Sequence, residues 1–258
     1  MSFLAVVVFF FYGGFVEPRW IKVTYWSRDM GLSGKTIKLA QLSDLHISKV
    51  GTTERRTLEH IKGIQPQIIL LSGDVIDRHD SLPALKSFLA QLPPAIKFAI
   101  HGNWEHWSGV DLDALAALYA QNDVTLLVNQ CVSLSRQGIR LSIAGLDDYT
   151  AGQPDVDRAL GSCSREDPII IAEHSPGLFD EPLSPEMPTP ALSLAGHTHG
   201  GQLAIGNKAI FTPSGSGRFV AGWYWTSWGE VYVSKGIGTS VLPLRIGARP
   251  EISIFEIK

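Results

Sequence analysis

"IKLAQLSDLHIS", residues 37–48, is the stretch on which the fold turns. Ile37–Leu42 has the length and apolar character of a strand. It stops at Ser43-Asp44-Leu45-His46, where a carboxylate and an imidazole stand at alternate positions. The arrangement returns four times: Ile68–Leu71 runs into Gly73-Asp74-Val75-Ile76-Asp77-Arg78, Lys97–Ile100 into His101-Gly102-Asn103, Ile169–Ala172 into Glu173-His174, and Leu192–Ala195 into Gly196-His197-Thr198-His199. Amphipathic stretches at Thr53–Ile64, Leu82–Leu92 and Asp111–Gln121 have helical spacing, which gives the first two thirds a βαβ rhythm. The last third, with further runs at Val231–Ser234 and Ile252–Ile257, has strands and few helices. An α/β fold with mixed sheets and helices outside is expected. In open α/β sheets the functional crevice lies beyond the carboxyl ends of the strands, so the five decorated ends should converge on one site.

Taken singly, none of these signals decides anything. A lone strand-end Asp is usually a cap or turn residue, and a lone His such as His174 is usually a satisfied core residue. Gly196-His197-Thr198-His199-Gly200-Gly201 says more, because two imidazoles at alternate positions can address one centre while the glycines let the chain turn tightly. The ordered set says most. Nitrogen and oxygen donors without thiolate suit Mn²⁺, Fe or Zn²⁺, and the Asp, Asn and His side chains together exceed what one tetrahedral ion takes. Two divalent ions are indicated.

At 258 residues, 45% hydrophobic and 18% charged, the chain has the composition of an ordinary globular domain. A net charge of −3 and the lack of a basic run argue against a nucleic-acid partner. Cys131 and Cys163 fit no paired metal-binding spacing and read as two small buried side chains. Ser175 to Pro190 reads as an irregular Pro/Ser-rich loop. The run from Phe3 to Val16 is uncharged but shorter than the roughly 20 residues that span a bilayer as a helix. Residues 1–16 are expected to be a short membrane anchor or interfacial segment, and residues 17–258 the catalytic domain. Arg19, Lys22 and Arg28 after the run favour the cytoplasmic face of the inner membrane. A buried first strand is the alternative.

"LSDLHIS" (42–48), "LSGDVIDR" (71–78), "HGNWEH" (101–106), "IAEHSP" (171–176) and "AGHTHGGQ" (195–202) also follow one another as do the blocks of a known family. The chain resembles the calcineurin-like metallophosphoesterase superfamily, and its flanks at 16–26 and 232–257 are similar to a membrane-associated bacterial subgroup, the YaeI and YkuE type. The resemblance implies a four-layer α/β/β/α sandwich with two mixed sheets. It places Asp44, His46 and His199 on one metal, Asn103, His174 and His197 on a second, and Asp74 between them. Two ions about 3.5–4 Å apart would lower the pKa of a bridging water, which attacks the phosphorus in line. Mn²⁺ is the expected metal, with Fe or Zn²⁺ as alternatives. The complete ligand set argues against a catalytically silent binding module of the same fold.

The resemblance also marks a departure. Trp104 stands where the family usually has a histidine that helps the leaving oxygen depart, and an indole cannot transfer a proton usefully. Either His106, or less favourably His101, supplies an imidazole from a shifted position, or the substrate needs no acid. A pyrophosphate would fit the second case. The subgroup resembles UDP-2,3-diacylglucosamine hydrolase of lipid A biosynthesis, which cleaves such a bond in a lipid-linked nucleotide sugar; a soluble nucleotide is the other substrate class. Arg78 either contacts a phosphoryl oxygen or forms a surface salt bridge. Asp77 and Glu105 should hold ligands and loops in place. The aromatic segment Phe219–Trp228 suits membrane contact, or else fills the core or covers a sheet edge.

Overall fold

The structure, a computed structural model, describes residues 3–32, 34–136, 139–205 and 208–258. Its strands are β1 (Lys22–Arg28), β2 (Ile37–Leu42), β3 (Ile68–Ser72), β4 (Ile96–Ile100), β5 (Val124–Leu126), β6 (Gln130–Arg136), β7 (Ile139–Gly145), β8 (Ile169–Ala172), β9 (Leu192–Ala195), β10 (Ala204–Ile205), β11 (Lys208–Ala209), β12 (Gly222–Thr226), β13 (Gly229–Val233) and β14 (Glu251–Ile257). Its α-helices are α1 (Phe3–Phe11), α2 (Thr52–Ile64), α3 (Leu82–Leu89), α4 (Asn103–Trp107), α5 (Leu112–Gln121) and α6 (Val156–Gly161). One sheet has the order β1-β14-β2-β3-β4-β5 and the other β12-β13-β9-β8-β7-β6; β10 and β11 form a separate hairpin. Each large sheet is mixed. β14 runs antiparallel to β2 in a sheet otherwise parallel, and β6 and β12 run antiparallel at the two edges of the other.

The period-2 alternation of β2 and β3 builds the layers. Leu39, Ile68 and Leu70 point between the sheets, where they meet Ile143, Ile170, Leu192 and Tyr232. Their neighbours Ala40, Leu42, Ile69 and Leu71 point outward to Leu58 and Ile61 of α2, Leu85 and Phe88 of α3, and Leu115 of α5. A third core covers the far side of the second sheet, with Ala159 and Leu160 of α6 against Ile171 and Val231. Three apolar layers between four layers of elements are the expected α/β/β/α sandwich.

Several expectations need correction. The helix expected to reach Leu92 ends at Leu89, in the turn before Pro93-Pro94. Asp111, expected inside a helix, is the cap of α5 and accepts hydrogen bonds from the Asp113 and Ala114 amides. Cys131 and Cys163 are not two separate thiols: they form a disulfide that ties β6 to the chain just beyond α6. The aromatic segment is divided. Phe219 and Trp228 are buried in the third core, whereas β12 is an edge strand with Trp225 72% exposed. The Pro/Ser-rich loop contains one 3₁₀ turn, Pro176–Asp180.

The N-terminal run is not a buried strand. It is the helix α1, continued by a π-helical turn over Tyr12–Val16, and Leu4, Val7, Val8, Phe9, Phe10 and Phe11 are exposed. Among the described residues, no helix is long and apolar enough to cross a membrane. The turn after α1 is nevertheless seated on the domain. Gly13 is buried against Ile246, its carbonyl accepts the Arg245 amide at 2.9 Å, and the buried Glu17 carboxylate accepts the Ala248 amide at 2.8 Å.

A candidate dinuclear metal centre

The five decorated strand ends do converge, at the seam between the sheets. β2, β3 and β4 of one sheet deliver Asp44 with His46, Asp74, and Asn103; β8 and β9 of the other deliver His174, and His197 with His199. All seven residues are at most 7% exposed. Their donor atoms fall into two groups that share Asp74: Asp44, His46, Asp74 and His199, and Asp74, His174 and His197. In the first, His46 Nε2 is 3.2 Å from His199 Nε2 and 3.5 Å from Asp74 Oδ2, and His199 Nε2 is 3.3 Å from Asp44 Oδ1. In the second, His174 Nε2 is 3.2 Å from Asp74 Oδ2. Asn103 joins there, its Oδ1 2.8 Å from His197 Nδ1.

The backbone holds this geometry at a cost. Asp44, His46, Asp74, His197 and His199 all have φ between 45° and 69°, the left-handed region that L-residues enter at about 1–3 kcal/mol each when bulky. Tight turns directly after the strands put consecutive side chains on one centre. Gly73, at φ 87°, allows a close approach, since a Cβ there would overlap the His174 ring. Hydrogen bonds then lock the loops together: Asp44 N to Gly73 O at 3.1 Å, His46 N to Asp74 O at 2.9 Å, and His197 N to Asp44 Oδ1 at 2.9 Å.

Surrounding groups fix which ring nitrogens are free. His174 Nδ1 donates to the Ser72 carbonyl at 2.8 Å, so its Nε2 lone pair faces Asp74, and that nitrogen has no hydrogen-bond partner. His197 Nε2 donates to the Ser214 carbonyl at 2.7 Å, which leaves Nδ1 toward Asn103. The second ring nitrogen of a metal-binding histidine is ordinarily fixed in this way. Electrostatics agree. Burial pushes Asp74 up to about 7, with Glu105 and Asp44 adding to it and His174 opposing. Burial, then the neighbouring cationic groups, pushes His46 down to about 3, and burial lowers His197 to about 4 and His199 well below its usual value. His174 goes the other way: burial opposes its charge, but Asp74 and Asp44 outweigh it and hold the ring well above its usual value. The neutral His46, His197 and His199 beside crowded carboxyls are matched by divalent cations. The donor spacings of 3.2–3.5 Å also correspond to edges of a coordination shell with bonds of about 2.0–2.2 Å. The residues fit two ions.

The remaining expected residues divide. Glu105 is a buried hub: its carboxylate accepts the amides of Asp74, Val75 and Gly102 at 2.7–2.9 Å and so ties the ends of β3 and β4 together. Asp77 Oδ1 lies 3.7 Å from His46 Nδ1, too far for a direct hydrogen bond. Arg78 is paired with Asp80 through Nε at 3.1 Å and Nη2 at 3.0 Å on the surface. His106 points to Asp147, Nε2 to Oδ1 2.8 Å. Trp104 packs edge-on to the His46 ring, with centroids 5.5 Å apart, and its amide donates to Asp74 Oδ1 at 2.8 Å.

Arg245 escaped the sequence reading. Fully buried, it donates to the carbonyls of Gly238, Lys235, Ala248 and His199, and its Nη2 is 3.1 Å from His199 Nδ1. Asp147 and Asp148, just beyond β7, were also passed over. They follow the same strand-end rule as the other five, which would have found them. Asp148 accepts Ser175 Oγ at 2.6 Å, next to His174.

Comparison with known proteins agrees with this reading. The family model for calcineurin-like phosphoesterases matches residues 37–201. The uncharacterized metallophosphoesterase YkuE of Bacillus subtilis strain 168 is 31% identical over 96% of this chain and 89% of its own. Phosphodiesterase YaeI of Escherichia coli K12 is 28% identical over 96% of this chain and 92% of its own. A transmembrane protein with metallophosphoesterase domain from Danio rerio is 29% identical over 86% of this chain and 53% of its own. A buried Asp/His cluster able to hold divalent metal, on this fold and with these relatives, identifies a metal-dependent phosphoester hydrolase: the chain belongs to the calcineurin-like phosphoesterase family.

Proposed function

We propose that the protein hydrolyses a phosphodiester or pyrophosphate bond in a lipid-linked substrate at a membrane surface, with Asp44, His46 and His199 holding one ion, Asn103, His174 and His197 a second, and Asp74 between them. Mn²⁺ suits this nitrogen and oxygen donor set, and Fe or Zn²⁺ also match it. When bound, such a pair supplies Lewis acidity toward the phosphoryl group and a nucleophilic water at neutral pH. The chain's own contribution is positional. Ser72 and Ser214 carbonyls keep the protons of His174 and His197 on the outward nitrogens, and Glu105 holds the loops that carry Asp74 and Asn103. Trp104 presents no transferable proton at the place where the family has an imidazole. A leaving group that departs as a weak base, such as a phosphate of a pyrophosphate bond, needs none.

The observation that carries the lipid-linked reading is apolar surface beside the cluster. The hairpin β10–β11 begins directly after the turn His199–Gly201, and Ile205, Ile210 and Phe211 are 65–78% exposed. Val241 and Leu242 stand out from the next loop, which Gln202 holds by bonds from Nε2 to the carbonyls of Ser240 and Leu242. That loop leads to Arg245 and Ile246, on which the turn after α1 sits. Exposed apolar patches of this kind mark membrane or partner contact, and Tyr12 and Trp20 are residue types favoured at the lipid interface. α1, about 13 Å long at 1.5 Å per residue, suits lying in the interface better than spanning the bilayer.

The disulfide bears on the side of the membrane. Disulfides persist in oxidising compartments, so it favours the extracytoplasmic face over the cytoplasmic face suggested by Arg19, Lys22 and Arg28. Alkylation of intact cells, with and without reductant, tests this: Cys131 and Cys163 unreactive until reduced is the outcome expected. The function is tested by a panel on Mn²⁺-loaded protein, with matched diacyl and short-chain pyrophosphates presented on vesicles and in solution. Preference for the diacyl substrate on vesicles is expected; equal rates on soluble nucleotides would overturn the lipid-linked reading.

A further inference from the structure

A second convergence of donors lies beside the first. His101 closes β4, His106 sits on α4, and Asp147 follows β7 in the other sheet, so this group also bridges the seam. Nδ1 of His101 is 3.7 Å from Asp147 Oδ1, His106 Nε2 is 2.8 Å from the same oxygen, and the three donor atoms lie within 4.8 Å of one another. None of the three belongs to the seven-residue cluster. Asn103 of that cluster shares the short helix α4 with His106, one turn away.

His101 makes this more than a hydrogen-bonded pair. It is 5% exposed, and neither of its ring nitrogens has a hydrogen-bond partner. A buried histidine with both nitrogens unpaired is a rare and costly arrangement, and one that calls for a ligand. Its Nδ1 is aimed at a carboxylate it is too distant to bond directly. The carboxylate is held from behind: Asp147 Oδ1 accepts the Asp148 amide at 3.0 Å and Oδ2 the Gln153 amide at 2.8 Å, while Gly152 lies so close that any Cβ would overlap it. An open cleft of about 830 Å³, lined by His106, Asn129 and Asp147 among others, borders the group. It provides an entry path and room for further ligands.

We propose that His101, His106 and Asp147 form a third metal site, for a borderline divalent ion such as Zn²⁺, separate from the dinuclear centre and open to the cleft. Two imidazoles and one carboxylate, with a position left to solvent, are a donor set that Zn²⁺ accepts. The ion would take the place of the direct contact between His106 and Asp147 and give His101 the partner it lacks. Being separate, it does not depend on the assignment of the other seven ligands.

Metal counting tests this. The full chain, stripped with chelator, is loaded with Zn²⁺, freed of excess by gel filtration and analysed for metal per chain. Three ions are expected in the wild type, two in His101→Ala and two in Asp147→Asn, with circular dichroism confirming that each variant is folded. Asp147→Asn keeps the size and one of the two backbone amide bonds while removing the charge, so it serves if His101→Ala does not fold. ¹¹³Cd-loaded wild type gives an independent reading, with three resonances expected. Two ions and two resonances in the wild type would overturn the proposal, as would three ions that persist in both variants. Asp74→Ala separates the two readings: it should retain the third ion, and if it keeps the full wild-type count the dinuclear assignment fails instead.

Discussion

The seven-residue cluster and the N-terminal rim reverse the usual placement of side chains in opposite senses. At the seam, carboxylates and imidazoles are almost wholly buried, held by backbone bonds and left-handed φ values. At the rim, Leu4, Val8, Phe10 and Phe11 of α1 are 53–70% exposed, and Ile205 and Phe211 are 78% and 71% exposed. A buried charged group is stable only with a partner, and an extended apolar surface in water is equally unusual in a monomer. On the proposed function each region takes up something from outside the chain. The difference between them is rigidity: the seam is fixed from several sides, which suits a small and geometrically exacting ligand, whereas the rim offers area without direction, which suits the proposed bilayer contact.

The most severe way to break that comparison is Asp74→Ala, which removes the carboxylate both donor groups share. Activity should fall to background, and metal analysis should show the paired ions lost. Normal occupancy would separate Asp74 from the centre. Deleting residues 3–11 attacks the rim alone. Because Gly13 and Glu17 are anchored in the domain, this cut preserves the fold, and partition onto anionic vesicles should drop by roughly 10²-fold, since only two buried apolar side chains supply that much. Turnover of a soluble aryl phosphodiester should be unchanged by it.

Trp104→His sharpens the chemistry of the seam. If the substrate needs no acid, the imidazole should raise rates on alkyl phosphodiesters by up to about 10²-fold while pyrophosphates gain little. His106→Ala is the control: a loss confined to alkyl substrates would show that His106 already supplies the proton. The smallest effect is expected for Arg245→Lys. Lysine keeps the charge but not the planar fork that binds four carbonyls and faces His199, so metal affinity at the His199 side should weaken about 10–100-fold with folding retained. Competition against a graded chelator measures it.

The strands that end in donors were legible because one pattern states both facts: apolar alternation marks the strand, and the polar residues after it mark the crevice. That pattern led directly to Asp44, His46, Asp74, Asn103, His174, His197 and His199 as neighbours. Where the chain pairs at a sheet edge, the signal weakens. β6 exposes Gln130, Ser133 and Ser135, which are not all on one alternation, and β12 is aromatic on both faces, so neither shows a clean period. The disulfide needs two Cβ atoms brought together across 32 positions, which no spacing rule encodes. Arg245 sits in a segment without periodicity, and its meaning depends on four carbonyls that only the fold assembles. Arg78 carried two readings in sequence, and only the fold shows that its guanidinium lies beside Asp80 on the surface.

Gly13 limits how this enzyme can be re-engineered. A methyl group there would come within 2.8–2.9 Å of the Ile246 side chain, and the residue's carbonyl holds the amide of Arg245, whose guanidinium faces His199. The leader is therefore not an interchangeable tag. A graft onto another protein's hydrophobic leader must join upstream of Tyr12, and the Tyr12–Glu17 splice has to travel with the domain as part of it.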